Sequence, residues 1–457
     1  MKFNKKFIIF ILLLLVSLLF GCTNTNNEET KTQKTKTEPI NTETETTPVE
    51  PVVPTENRYM LEEEEDSFYF FWETQNTNTL LGGCGLIPDR YPSNGLASIA
   101  SVGFGLAAFV IGAEREYVTK AEAEERVILT LTYVNKLAKV HGFFYHFYYE
   151  KAGGVATGSE VSNIDTAIFL CGALLAGEYF GGEAETLALA IYDEVDWPWF
   201  VNKKTNNFYM AYDSSSEKFS GAWDTYAEQL MMYFLAAGSS THPITKDVYY
   251  AFKRNKGSYK GETFINSWFG SIFTYQFSHA FVDFRGMLDK NNVNWFDNSV
   301  AATYANYNYC VDNPENFITY AKDQWGITAC DTPTGYSGLL GTLPSGTGYT
   351  KMFTNDGTVC CAGAIGSLVF APEIVMPVFR NYATLLNGSL VGDYGFKDAF
   401  NFDGSRVWVA NSVIGIDKGI TVMMIENYRS ELIWKYFMKL DFMERAINVL
   451  EFTKVEE

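Results

Sequence analysis

Histidine is nearly missing from this chain: there are four, at positions 141, 146, 242 and 279, and none falls in a His-Glu-x-x-His or other ligand-spaced array. No catalytic metal is therefore expected. There is no Gly-x-Ser-x-Gly elbow, phosphate-binding loop or dinucleotide fingerprint, so no bound cofactor is expected either. Basic residues are also short, with 35 Lys and Arg against 54 Asp and Glu and a net charge of −19. Nucleic-acid and polyanion partners are excluded on that ground, because their binding runs on a basic patch. A neutral ligand fits better. Strand-like alternation is scarce. Beyond Cys22, the six cysteines at 84, 171, 310, 330, 360 and 361 match no zinc spacing and single out no disulfide pairing. Asp289-Lys290-Asn291-Asn292 and Asn355-Asp356-Gly357 lack a full calcium loop and read as turns.

What is present begins with Lys2, Lys5 and Lys6, an apolar run from Phe7 to Phe20, and Leu19-Phe20-Gly21-Cys22. That pattern predicts a secretion signal over residues 1–22, ending in a lipobox whose Cys22 is lipidated; an uncleaved anchor is the alternative. The expected location is the cell envelope, outside the cytoplasm, with a lipid anchor in the membrane. Residues 23–57 are Thr, Asn, Glu, Lys and Pro with almost nothing apolar, and read as a disordered tether. Residues 58–457 show no second low-complexity break and read as one large domain, expected to be monomeric.

Helical periodicity dominates that domain, with about a dozen segments, among them 94–112, 120–140, 161–180, 223–237, 315–322 and 416–429. Some are apolar on every side (97–111, 164–175, 230–237), whereas others carry charge on one face (121–139, 429–439). Thr119-Lys120-Ala121-Glu122 is a capping box. Alternating buried and outer helices point to an all-α fold of two concentric rings, an (α/α)6 toroid, with long Gly, Asn and aromatic loops lining a cleft at one end.

Trp223-Asp224-Thr225-Tyr226-Ala227-Glu228 carries the strongest chemical hint. Read as the start of a buried helix, it sets two carboxylates one turn apart among aromatics. Acids handle protons while aromatic faces stack on sugar rings, as glycan cleavage requires. Glu228, the deeper of the two, is expected to have a raised pKa and to be a candidate general acid; a pair of buried acids bonded to backbone or Arg is the plainer alternative. Asp417, in Gly415-Ile416-Asp417-Lys418-Gly419, has a cation beside it that is expected to keep it charged. It is either a base activating water or a turn residue capping the next helix. Glu160 and Asp165 flank Ser162 where a buried helix begins, and either cap it or hold a sugar hydroxyl or the attacking water. In 278–286, His279, Asp283 and Arg285 stand close together as an ion pair or as ligand contacts. Tyr and Trp in loops, as at Trp325-Gly326, Gly335-Tyr336 and Tyr394-Gly395-Phe396, are assigned to sugar stacking.

Taken in order, the strings 85–90 (GLIPDR), 97–105 (ASIASVGFG), 142–147 (GFFYHF), 223–228, 279–286, 325–331 (WGITACD), 394–400 (YGFKDAF), 415–417 and 425–429 resemble the bacterial glycoamylase-like domain of glycoside hydrolase family 144. The resemblance implies an (α/α)6 barrel that hydrolyses β-1,2-glucan with inversion. By motif position it makes Glu228 the acid, Asp417 the base and Asp165 a further acid of the site. Trp223, Asp224, Tyr226, Glu160, His279, Asp283, Arg285, Trp325, Asp331, Tyr394 and Phe396 are then expected against the sugar. The string 358–362 (TVCCA) departs from the family pattern, which leaves endo against exo action open. A glycan-binding lipoprotein on the same scaffold, or a lyase acting on uronic acid polymers, are the other readings.

Overall fold

The computed structural model describes residues 55–405 and 407–455. The secretion signal, Cys22 and most of the tether lie outside the described residues. The tether's boundary moves, because the first helix already begins at Thr55.

Fourteen α-helices are present among the described residues: α1 (Thr55–Thr74), α2 (Ile99–Glu114), α3 (Lys120–Val134), α4 (Asn163–Phe180), α5 (Gly182–Asp193), α6 (Leu230–Gly238), α7 (Lys246–Tyr250), α8 (Phe277–Phe281), α9 (Trp295–Asp312), α10 (Cys361–Ile365), α11 (Pro372–Thr384), α12 (Gly415–Ser430), α13 (Leu432–Phe437) and α14 (Asp441–Val449). The segment 315–322, expected to be helical, forms turns instead. Its Phe317-Ile318-Thr319 backbone is held by Asp403, which accepts from the amides of Ile318 and Thr319, a local alternative to the helical ladder.

Burial sorts the helices as the patterning predicts. Helices α6, α8 and α10 are buried along their whole length, and α2, α4 and α12 along most of theirs. Helices α3, α5, α7, α9 and α11 bury one face and wet the other. The start of α3 is the expected capping box, with Thr119 accepting from the Glu122 amide and Glu122 accepting in return. Among the inner helices, α2 packs on α4 and α12, and α4 packs on α6. The α2–α4 crossing is very close, because a Cβ at Gly172 would lie 1.9 Å from the Gly103 carbonyl oxygen. Only glycine leaves room for the two backbones.

The strands are two to four residues long, and their placement matters more than their extent. Leu96–Ser98, Val161–Ser162, Val359–Cys360 and Val413–Ile414 each run straight into an inner helix: α2, α4, α10 and α12 respectively. Each pairs with another short strand: Leu96–Ser98 with Phe147–Tyr149, Val161–Ser162 with Ala211–Asp213, Val359–Cys360 with Ala399–Asn401 and Val413–Ile414 with Arg90–Tyr91. These pairings fix the entry of each helix, so side chains in the first turns are aimed from a rigid base.

Gly172→Ala is expected to force apart α2 and α4 and to lower stability by roughly 1–3 kcal/mol, the usual scale of overpacking. A thermal melt of the variant unchanged from the parent would contradict so tight a crossing.

Candidate active site

Two cavities meet at one carboxyl group. The first, about 420 Å³, is lined by Asp89, His146, Asp165, Phe277 and Tyr336 among others. The second, about 470 Å³, is lined by Trp223, Asp224, Tyr226, Lys253 and Trp268 among others. Glu228 and Phe273 line both.

Glu228 is not on a helix with Asp224, as the sequence pattern suggested. Residues 223–229 run through an isolated bridge and a turn, and α6 starts only at Leu230. The Thr225 backbone bridges to Lys253, and the Lys253 amide donates to the Asp224 carbonyl at 2.8 Å, which holds this segment extended. Asp224 is thereby turned outward, where its carboxylate pairs with Lys253 at 2.9 Å at the rim of the second cavity. Glu228 sits deeper. Desolvation, aided by the charge of Asp165, pushes its carboxyl up to about 7. Ser278 Oγ donates to the Glu228 carbonyl oxygen and accepts from the Met231 amide, fixing the turn that carries this acid. Tyr226, stacked on Trp295 with ring centroids 4.8 Å apart, and Trp223, whose indole donates to Asn163 at 3.1 Å, form the second cavity's apolar wall.

In the first cavity a histidine gathers three acids. His146 Nδ1 lies 2.9 Å from Glu160 and its Nε2 3.7 Å from Asp165, with Asp89 nearby. Burial alone would lower this imidazole, but the charges of Asp165, Glu160 and Asp89 outweigh it and hold it up at about 9. It is therefore a cation at neutral pH. Its hydrogen bond pulls the Glu160 carboxyl below the usual range. Ser162 itself, rather than Glu160 or Asp165, caps α4, accepting from the Asp165 amide and donating to its carboxylate. Asp165 thus faces the cavity from the third position of α4. Arg90 clamps Asp331 at 3.0 Å to both carboxylate oxygens and also meets Asp89. Asp331 is thereby held in an ion pair, lines neither cavity, and accepts a further hydrogen bond from the Ser412 hydroxyl.

Asp417 occupies the third position of α12, inside the helix, and is almost fully buried. It neither caps α12 nor is kept charged by its neighbour: Lys418 Nζ reaches Glu63 at 2.7 Å instead. Asp417 lines a water-sized hole with Asp398 and Ile414, and Ile414 also forms part of the first cavity's wall. Burial, with Cys360 and Asp398 close by, drives the Asp417 carboxyl far above the ordinary carboxylate range. Tyr336 spans the two spaces, for its half-exposed ring lines the first cavity while its phenol lies in the field of Asp417 and Asp398.

Several expected sugar contacts lie elsewhere. His279 is core: it bonds to Ser299 at 2.9 Å, and desolvation pushes it down to about 3, so it is neutral. Arg285 pairs with Asp283 and Glu431, both at 2.8 Å, over the ring of Trp434 in a separate surface hollow, so the ion-pair alternative holds for this group. Trp325 is fully buried beneath Tyr382 and Tyr307. Phe396 is buried beside the Asp398 hole, and Tyr394 packs edge-on against Phe70 and Tyr91. The sequence pattern assigns these loop aromatics to sugar stacking, yet all three fill the core. Residues not singled out as site residues but found in the cavities include His146, Lys253, Trp268 and Phe273. Only His146 stood in a quoted motif; nothing local to the chain marks the others.

A raised carboxyl favours the folded state at low pH, and that advantage disappears as pH rises through its folded pKa. Glu228→Gln, which cannot ionise, is thus expected to be more stable than the parent at pH 8.5 by up to ~3 kcal/mol relative to their difference at pH 4.5. Denaturant unfolding at the two pH values measures this, and equal differences would show that Glu228 is not desolvated.

Residues 220–441 match the family model described as putative glucoamylase. A curated relative, the exo β-1,2-glucooligosaccharide sophorohydrolase (non-reducing end) of Parabacteroides distasonis, is 25% identical over 434 residues, 86% of this chain; the chain spans 57% of that relative's length. Among solved structures, a putative glucoamylase from Bacteroides uniformis is 26% identical with a TM-score of 0.78, covering 88% of this chain and 98% of its own. An endo-β-1,2-glucanase from Chitinophaga pinensis, solved with sophorotriose and glucose, is 25% identical with a TM-score of 0.78, covering 88% and 99%. The motif resemblance is borne out, for residues 220–441 match this family model and the similar proteins include enzymes described as acting on β-1,2-glucan or its oligosaccharides.

Proposed function

We propose that this protein is a glycoside hydrolase that cuts β-1,2-glucan internally, with inversion, on an (α/α)6 toroid. The observation that carries the proposal is Glu228, a carboxyl desolvated to a pKa of about 7 at the junction of two aromatic-walled cavities. Glu228 protonates the glycosidic oxygen as the bond breaks. Asp165, facing the first cavity, holds the attacking water, and Asp417 behind the Ile414 wall takes up the water's proton. Inversion suits a base set back from the acid, because a water must fit between base and sugar. His146, cationic among three acids, fixes the orientation of Asp165 and Glu160. Trp223 and Tyr226 on one side and Phe273 and Phe277 on the other supply apolar surface for sugar faces.

Endo action is favoured because both cavities are open and Glu228 lies between them, so glucose units extend on each side of the cut. Exo action is the second reading, suggested by the exo-acting relative, and product lengths separate the two. We further propose that the protein is held to the cell envelope through lipidated Cys22.

Incubated with β-1,2-glucan, the purified protein is expected to release a spread of short oligosaccharides early in the reaction. Release of a single disaccharide from the first time points would establish exo action instead. Glu228→Gln is expected to lower kcat roughly 10³-fold, with KM changed little. Since Glu228 must hold its proton, activity is expected to fall as pH rises through about 7. A kcat near that of the parent would remove Glu228 from the mechanism. Cys22→Ser is expected to move the protein from the membrane to the soluble fraction, and an unchanged membrane fraction would refute the anchor.

A further inference from the structure

Two carboxyl groups are buried side by side, each with one oxygen that has no hydrogen-bond partner. Asp398 Oδ1 and Asp417 Oδ2 each lack a hydrogen-bond partner, and oxygens of these two carboxyls and Cys360 Sγ all lie within 4.8 Å of one another. An unpartnered buried carboxylate oxygen is costly, and two facing each other as anions would repel as well. Among the described residues no cation is paired with either, although the charge of Arg90 is felt at Asp398. Lys418 is taken by Glu63, and Arg90 by Asp331 and Asp89. The remaining titratable neighbours, Cys330, Cys361 and the Tyr336 phenol, carry no positive charge at any pH.

One proton shared between the two acids satisfies both orphaned oxygens at once. We infer that Asp398 is a positioning residue for the reaction: it shares one proton with Asp417 and thereby aims that carboxyl and sets the pH at which it can accept another. This rests on the assignment of Asp417 as the base made above.

Asp398 is well placed for the task because three segments immobilise it. Its Oδ2 accepts from the Asp331 amide at 2.7 Å, its own amide donates to the Ser412 carbonyl at 2.9 Å, and its carbonyl accepts from the Cys361 amide at 3.0 Å. The pair is therefore held from the strands Cys330–Thr332 and Ala399–Asn401 on one side and from α12 on the other. Burial raises the Asp398 carboxyl, but only to about 6, because hydrogen bonds from Asp417 and from the Asp331 amide favour its charged form. Asp417 has no such donor and keeps the proton.

The step balances with the pair as proton store. The water oxygen bonds to the anomeric carbon, and the bond to the leaving glycosyl oxygen breaks with its electron pair. That oxygen takes the proton of Glu228, and the water's surplus proton passes to the pair. The pair then holds two protons and later returns one to solvent, while Glu228 regains its own.

The test is the pH dependence of kcat/KM on β-1,2-glucan for Asp398→Asn and Asp417→Asn beside the parent. With the shared hydrogen bond gone, Asp417 titrates alone, so the acidic limb of Asp398→Asn is expected to move to higher pH by about one unit or more, with the alkaline limb unmoved. Its kcat is expected to fall while KM stays near that of the parent, and Asp398→Glu is expected to restore part of the loss. A folded Asp398→Asn whose profile overlays that of the parent overturns the inference, even with Asp417→Asn inactive. An active Asp417→Asn would instead overturn the assignment of the base. Difference infrared spectra of the parent against Asp417→Asn at pH 8.5 decide the matter if Asp398→Asn does not fold. Loss of a protonated-carboxyl band supports the shared proton, and no such loss overturns it. A stoichiometric metal ion in the purified protein would also overturn it, by giving the two oxygens another partner.

Discussion

Keeping water away from a few acids is the constraint on which this molecule is built. Glu228 and Asp417 lie at the N-terminal ends of inner helices, where a helix dipole favours a negative charge and burial opposes it, and Asp398 stands just before the strand paired with the one that feeds α10. Burial wins in each case, for all three carboxyls are raised. That outcome requires walls that do not relax. The short paired strands and the glycine-to-glycine crossing of α2 and α4 supply them.

Around the rim the same acids are treated in the opposite way. Asp224 is paired with Lys253, Asp331 with Arg90, and Glu160 and Asp165 with His146. The cavities thus have a desolvated acid where they meet and ion-paired acids around it. Behind it, α12 is moored to α1 by the buried pairs Lys418 with Glu63 and Arg429 with Glu64, and to α2 by Arg115 with Glu426. Such pairs fix register more than they add stability. Here they hold the helix that carries Asp417.

Much of this was legible in the sequence, for stated reasons. Apolar residues on every side of 97–111, 164–175 and 230–237 could only mean inner helices, and these became α2, α4 and α6. Glu228 was found because an acid amid Trp, Tyr and Met has to be accounted for. The supposed helical partnership of Asp224 and Glu228 failed because a tertiary bridge to Lys253 outweighed local periodicity. His279, Asp283 and Arg285 sat in an aromatic run that the fold uses as core and surface rather than as cleft. Asp398 stood in the string 394–400 without a role, since what it faces arrives from α12, and contacts of that range leave no mark on the local chain.

The pairing of Arg90–Tyr91 with Val413–Ile414 joins positions more than three hundred residues apart, and α12 finds its main partners in α1 and α2. The stretch 220–441 that matches the family model consequently lacks α1 and α2, the main partners of α12. Cut out by itself, it would bring Asp417 without the helices against which it is buried, and leave an apolar flank of α12 bare to solvent.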